Sequence, residues 1–188
     1  SDNMVLNAVD KQNSKIDDNC VAAFGTDHVL ATTKGFYVFD KDGNADLYGS
    51  SVGKHVVTVN SKLYALTEDG TLNVYNSSNM ETAEKTYQVG AVEPKGNKAV
   101  VAVDNNGDIY VCKGKNGVAK ISGSTVNQEF FKCPTISNSA DKKHPGEVEG
   151  CANGIAVDGS YVYLACGSYG LVVLDKSTGT KICHRKAP

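Results

Sequence analysis

The sequence contains four imperfect copies of one segment, and this internal repeat restricts the folds open to the 188-residue chain. The copies superimpose as HVLATTKGFYVFD, YALTEDGTLNVYN, YVCKGKNGVAKIS and YLACGSYGLVVLD, which begin at His28, Tyr64, Tyr110 and Tyr163. A further apolar run lies before and after each copy, and Gly, Asp and Asn residues separate the runs. Each repeat therefore predicts four short strands, here called A to D, joined by tight turns.

Composition agrees with strands rather than helices. The chain has 19 Gly against 4 Pro, and Val, Tyr, Thr and Ile recur in short runs. Four-stranded units that repeat every 40–50 residues are typical of β-propeller blades, which bury one another by stacking face to face. The sequence therefore predicts an all-β fold, a β-propeller with four blades of four antiparallel strands plus part of a further blade.

The N-terminal region suggests that the propeller is partial, because AVDKQNSKI (8–16) aligns with VLDKSTGTKI (173–182), the C and D strands of the last repeat. We expect a fragment of a larger propeller. Two alternatives stay open: two copies that close one ring, or a compact four-bladed ring capped by residues 1–18. The sequence predicts a single domain (1–188). Its predicted parts are strands C and D of a preceding blade (4–18), blade 1 (19–52), blade 2 (53–92), blade 3 (97–133), a long loop insertion (134–150) and blade 4 (151–188).

The stretch FDKDGNAD (39–46) resembles the start of an EF-hand calcium loop. The weak candidates for a metal site are Asp40, Asp42, Asn44 and Asp46. An EF-hand also needs Gly at loop position six and Glu at position twelve, where this chain has Ala45 and Ser51. The repeat instead places DKDGN in the turn between strands C and D, and we favour the turn.

A propeller brings its B–C turns and D–A connections to one face, where binding sites are common. The candidate ligand-binding residues on this loop face are Asn19, Lys34, His55, Asp69, Lys98, Lys115, Asn153 and Tyr169. Tyr169 is the best candidate for an exposed aromatic ring, and the alternative is that it packs over the adjacent blade.

The six cysteines predict one disulfide at most. Cys133 and Cys151 bracket the long loop, and a bond between them would close it. Cys20, Cys112 and Cys166 lie in predicted strands, where a buried thiol is expected. No C-x-x-C spacing or phosphate-binding motif occurs in the sequence, so we predict no cofactor.

Charge and hydropathy limit the classes of partner that this chain can bind. The formal net charge is −2 with basic and acidic residues mixed along the chain, so no basic stripe indicates nucleic acid. Apolar runs such as LVVL (171–174) are far too short to insert into a membrane. The expected partner is a protein or a glycan, while missing blades of the same protein or a second copy would complete the ring.

The fourth repeat, GIAVDGSYVYLACGSYGLVVLDKSTG, resembles bacterial cell-surface propellers of the LVIVD-repeat type over residues 151–183. The resemblance implies an extracytoplasmic location: periplasmic, secreted or at the cell surface. The function that we predict is a non-enzymatic binding or scaffold module that recognises its ligand through the loop face. The alternative is a metal-assisted hydrolase at the channel mouth, for which Asp18, His55 and Asn153 could supply part of the metal site.

Overall fold

Four separate antiparallel sheets make up the part of the chain that the computed structural model describes, residues 18–94, 99–135 and 150–186. Each sheet has four strands that follow one another in chain order. The helical content of these ranges is one 3-10 turn, Gly167–Tyr169, and no helix in them could span a membrane. The all-β prediction, with four strands per repeat, is confirmed.

The chain divides into two compact units, residues 1–87 and 88–188. Sheet 1 consists of β1 (Asp18–Phe24), β2 (Asp27–Thr32), β3 (Gly35–Phe39) and β4 (Ala45–Tyr48). Sheet 2 consists of β5 (Gly53–Val59), β6 (Lys62–Thr67), β7 (Thr71–Tyr75) and β8 (Lys85–Gln88), whose last residue belongs to the second unit. Sheet 3 consists of β9 (Ala99–Val103), β10 (Ile109–Lys113), β11 (Val118–Ser122) and β12 (Thr125–Phe131). Sheet 4 consists of β13 (Gly154–Val157), β14 (Tyr161–Ala165), β15 (Leu171–Asp175) and β16 (Lys181–Arg185).

Three predicted features fall largely or wholly outside the described residues. They are the half-blade at 4–18, most of the insertion at 134–150, and Lys98.

The first unit is held together by one face of sheet 1 and one face of sheet 2. Alternate residues of β2 and β3, among them Val29 and Phe36, share a buried cluster with Leu63 and Ala65 of β6. Because side chains alternate across a strand, the residues between them point to the opposite face of each sheet. We call the face of sheet 1 that meets sheet 2 its forward face, and the face of sheet 2 that meets sheet 1 its backward face.

The second unit repeats this arrangement with sheets 3 and 4. Tyr110 and Cys112 on the forward face of sheet 3 share a buried cluster with Val162 and Leu164 on the backward face of sheet 4. Lys120, also on the forward face of sheet 3, donates a hydrogen bond of 2.8 Å to the carbonyl of Lys176 in sheet 4. The same face-to-face packing therefore occurs in both units.

One detail of the sequence alignment is wrong. Superposing the repeats without a gap matches His28 with Tyr110, a strand position at which a packed side chain is expected. The turn between β2 and β3 has one residue fewer than the turn between β10 and β11, since Thr32 pairs with Gly35 while the N–H of Lys113 bonds to the carbonyl of Gly117. Val29 therefore takes the position of Tyr110, and His28 is exposed on the other face.

Candidate functional site

The connections that were predicted to form the loop face lie at one end of sheets 1 and 2. In a meander of antiparallel strands, the β2–β3 turn, the β4–β5 connection and the β6–β7 turn all fall at the same end. The N–H of Glu68 donates a hydrogen bond of 2.8 Å to the carbonyl of Val52, and Lys54 Nζ lies 3.1 Å from Glu68 Oε2. These contacts tie the β4–β5 connection to the β6–β7 turn.

A cleft of about 390 Å³ opens at this end of the first unit, between β4 and β7. We call it the acidic cleft, and its lining residues are Phe36, Tyr48, Gly49, Ser50, Ser51, Thr67, Asp69, Thr71, Asn73, Tyr75, Met80 and Glu81. Phe36, Tyr75 and Met80 are buried and form an apolar floor. Asp69 and Glu81 are exposed carboxylates, so the cleft combines an apolar floor with negative charge at its mouth.

Local structure fixes the Asp69 carboxylate. Its Oδ1 accepts hydrogen bonds from the Thr67 hydroxyl at 2.5 Å and from the Thr71 N–H at 3.0 Å. The bond from Thr67 in particular, together with those from the Thr71 and Ser51 groups, outweighs burial and lowers the pKa of Asp69. Asp69 is therefore ionised at neutral pH, and the Ser51 hydroxyl lies 3.5 Å from its Oδ2.

Sequence reasoning identified Asp69 but missed the other side of the cleft. Met80 and Glu81 lie in the long β7–β8 connection, which is outside the B–C turns and D–A connections of the predicted loop face. A usable signal was present: Met80 is a large apolar residue in the otherwise polar stretch SSNMETAEK (77–85), and such a residue often anchors a loop. The side chain is in fact 5% exposed and packs into the core of the first unit.

The other predicted residues of the first unit lie apart from the acidic cleft. Lys34 is in the β2–β3 turn, where its N–H donates to the Thr32 hydroxyl. Asn19 belongs to β1. His55 is half-buried in β5, and burial lowers its pKa to about 4. The imidazole of His55 is therefore neutral at pH 7.

We expect His55 to make the stability of the first unit depend on pH. Since its pKa is lowered in the folded state, the unfolded chain binds more protons between pH 6.5 and 4, and stability falls as pH falls through that window. Urea unfolding at pH 7 and pH 5 should show a loss about 2 kcal/mol larger for the native protein than for His55→Gln. Equal losses in the two proteins would contradict this.

A second cleft, in the second unit, is basic. About 450 Å³ in volume, it is lined by Ala91, Lys113, Lys115, Asn116, Gln128, Glu129, Lys132 and Cys133. Lys113 is 4% exposed and its ammonium group donates to the carbonyls of Val89 and Gln128, each at 2.9 Å. Burial lowers the pKa of Lys113. Its two hydrogen bonds hold backbone segments together at the base of the cleft. Lys115 is the one predicted residue in the cleft's lining.

Tyr169 does not present an exposed ring, and that expectation is wrong. The ring is 8% exposed and stacks on His184, with centroids 3.8 Å apart and an interplanar angle of 6°. The 3-10 turn at 167–169 directs the side chain into the core of the second unit, so packing is the correct alternative. Asn153, also predicted, accepts a hydrogen bond from the Cys151 thiol at 3.0 Å.

The stretch that resembles a calcium loop forms a hydrogen-bonded turn. Asp40 Oδ1 accepts the N–H groups of Asp42 and Asn44, each at 2.9 Å, and Oδ2 accepts the Asn44 side-chain amide at 2.8 Å. The Asn44 amide, first among these donors, lowers the pKa of Asp40. Asp46 lies in β4. Across residues 18–94, 99–135 and 150–186, no three His, Cys, Asp or Glu side chains converge as metal ligands would.

All six cysteines are free thiols in the structure. Cys112 and Cys166 are fully buried in the second unit, as expected for core residues, and burial raises the pKa of Cys166 to about 12. Cys133 packs partly buried against the same cluster, and its thiol donates to the Gly114 carbonyl at 3.5 Å. The disulfide between Cys133 and Cys151 stays a prediction.

Comparison of the whole fold with known proteins gives matches among solved structures alone. No protein-family model matches the sequence, and neither does any curated protein. A protein of unknown function from Bacteroides caccae matches with a TM-score of 0.59 and 12% identity, over 93% of this chain and 62% of that one. BamB from Moraxella catarrhalis matches with a TM-score of 0.58 and 17% identity, over 93% and 54% of the two chains.

A third match is YCF48, whose structure was determined with a bound D1 peptide. Its TM-score is 0.54 and its identity 6%, over 93% of this chain and 56% of YCF48. The chain thus spans less than two thirds of the length of each of these three proteins. At such low identity the likeness concerns the fold, and it gives no support to the LVIVD type in particular. The four sheets and these structural neighbours together show that the chain has a β-propeller fold.

Proposed function

We propose that this chain is a non-enzymatic binding module that recognises an extended protein segment through the acidic cleft. The observation that carries the proposal is that the exposed carboxylates of Asp69 and Glu81 line a cleft whose other lining residues include the buried Phe36, Tyr75 and Met80. A segment with a Lys or Arg beside an apolar residue would satisfy both parts of such a cleft.

The geometry favours a protein segment over a glycan. Glycan sites need an aromatic ring whose face is open, whereas in the acidic cleft Phe36 and Tyr75 are 5% and 6% exposed and Tyr48 is partly buried. In addition, β4 is the outer strand of sheet 1, with β3 as its single neighbour in the sheet. An outer strand offers free backbone groups to an incoming extended chain. The bound D1 peptide of YCF48 is a precedent for peptide binding by a protein of similar fold.

We further propose that the module works outside the cytoplasm. The support is the resemblance of residues 151–183 to cell-surface propellers. The hydrolase alternative receives less support, because the neutral, half-buried His55 lies in a strand and does not line the acidic cleft.

Peptide binding tests the proposal directly. The probe is an array of random 12-residue peptides exposed to the labelled full chain, followed by titration of the best binders in solution. We expect selected peptides to be enriched in Lys or Arg next to apolar residues, and to bind more weakly as salt increases. Asp69→Asn and Glu81→Gln should each weaken binding by about 2- to 5-fold, the upper part of the range that an exposed ion pair contributes.

These variants should change binding without disturbing the fold. Asn at position 69 retains an oxygen that can accept from Thr67 and Thr71, so the turn is preserved. Asp42→Asn is the matched control, since it removes an exposed carboxylate at the opposite end of sheet 1 and should leave binding unchanged. Equal binding by all three variants would refute the acidic cleft as the site. Cleavage of the bound peptides, seen by mass spectrometry, would refute the non-enzymatic assignment.

A further inference from the structure

The forward face of sheet 4 is apolar and partly exposed. Tyr163 pairs with Val173, in the register in which Tyr110 pairs with Lys120 in sheet 3. The positions of Tyr110, Cys112 and Val118, all 0% exposed beneath sheet 4, therefore correspond to Tyr163, Ala165 and Leu171. Leu171 is 43% exposed, whereas its counterpart Val118 is fully buried.

Sheet 1 carries the complementary surface on its backward face. In sheet 1, His28 pairs with Phe39 and Leu30 pairs with Tyr37. The equivalent pairs in sheet 4 are Val162 with Leu174 and Leu164 with Val172. Those four residues of sheet 4 are fully buried against sheet 3. On sheet 1 the same face continues onto its outer strands through Val21 and Leu47, which are 60% and 47% exposed.

We propose that the forward face of sheet 4 docks on the backward face of sheet 1 of a second copy of this chain. The warrant is that the same two kinds of face already pack together twice, between sheets 1 and 2 and between sheets 3 and 4. Leu171 on one face would meet Val21 and Leu47 on the other, around Phe39, which is already 7% exposed. Exposed apolar sheet faces of this kind gain free energy when a partner covers them.

The proposed contact is heterologous, because it joins two different surfaces, and each copy carries one of each. A contact of this kind produces either closed assemblies or longer, open ones. Both outcomes share the same pair of faces, so variants on each face test the proposal.

Sedimentation velocity and native mass spectrometry of the full chain measure the association. We expect the native protein to associate into species of at least twice the 19.9 kDa chain mass. Leu171→Lys and Val21→Glu, which add a charge to one face each, should each weaken association at least tenfold, since an unpaired charge is costly in a desolvated interface. Thr180→Lys adds the same charge at an exposed position in the β15–β16 turn and should associate like the native protein.

An equimolar mixture of Leu171→Lys and Val21→Glu is the decisive sample. One contact of the mixed pair joins two unaltered faces, and the other joins a Lys face to a Glu face, so association should return. A native protein that stays monomeric at every concentration would overturn the proposal. Dissociation by Leu171→Lys but not by Val21→Glu would also overturn it, because it would mean that sheet 4 faces meet each other.

Hydrogen exchange of the native protein provides a readout that needs no variant. Amides of β14, β15, β1 and β2 should exchange more slowly as protein concentration rises, while those of β10 and β11 should not change. Protection that is independent of concentration throughout the chain would count against the second copy as the occupant.

Discussion

Gly117→Ala should destabilise the second unit by about 3–5 kcal/mol, the sum of backbone strain and forced displacement in a packed region. Gly117 has a φ of +77°, which non-glycine residues adopt at a cost. A Cβ at this position would also overlap the carbonyl oxygen of Phe131 on the neighbouring strand β12. The backbone could relieve the overlap only by opening the pairing between β11 and β12.

The matched control is Gly107→Ala. Gly107 lies in the same unit with a φ of +84°, and a Cβ there meets nothing within 4 Å. Gly107→Ala should cost about 1 kcal/mol of folding stability, from backbone strain alone. Urea midpoints followed by circular dichroism measure both, and similar losses for the two variants would show that the overlap with Phe131 is relieved cheaply.

Asp104→Ala is the second change with a large expected effect, a loss of about 3–5 kcal/mol, because it removes the carboxylate in contact with a largely buried ammonium group. Asp104 Oδ2 lies 2.7 Å from Lys176 Nζ, and the two side chains are 5% and 12% exposed. Burial opposes ionisation of Asp104, but the hydrogen bonds from Lys176 and the backbone outweigh it and lower its pKa. This carboxylate therefore stabilises the fold above about pH 4, and its contribution is lost as pH falls further.

The chain supplies an internal control for this ion pair. Asp40 and Asp104 make the same turn: each carboxylate accepts the N–H groups two and four residues ahead, and each turn has a glycine with positive φ at its fourth position. Asp40 is in an exposed turn of the first unit and lacks a partner like Lys176 among the ion pairs of the described residues. Asp40→Ala should therefore cost much less than Asp104→Ala, since it removes turn hydrogen bonds alone.

Chemical unfolding of the two variants separates the turn from the ion pair. Asp104→Asn adds a third comparison, since the amide oxygen can still accept from Asn106 and Asp108 while the charge is gone. If Asp104→Ala and Asp40→Ala lost the same small amount, the Asp104–Lys176 contact would contribute nothing measurable to stability.

Asp40 and Asp104 also show which features could be predicted from local sequence and which could not. The pattern of Asp, two further residues and Gly predicted a turn because its hydrogen bonds are made between residues at most four apart. Nothing local distinguishes the exposed Asp40 from the buried Asp104, since the difference is a lysine that lies 72 positions further along the chain, Lys176.

The candidate site likewise contains residues that could be predicted from local sequence and residues that could not. Asp69 could be predicted from its place in a turn between strands B and C, but Met80 and Glu81 reach the acidic cleft through a connection of irregular structure. Tyr169 looked exposed because its neighbours are small and polar, yet the turn at 167–169 stacks its ring on His184. The one-residue difference between the β2–β3 and β10–β11 turns likewise changed which face His28 occupies.

The sequence by itself determined the four-stranded repeats, the positions of the tight turns and the glycines that those turns require, because alternation and turn preference act between residues close in the chain. Only the tertiary structure decided which face of each sheet is covered, which aromatic rings are buried and which carboxylates share a cleft. Those properties depend on how one sheet packs against another, and packing joins residues whose separation in the sequence carries no signal.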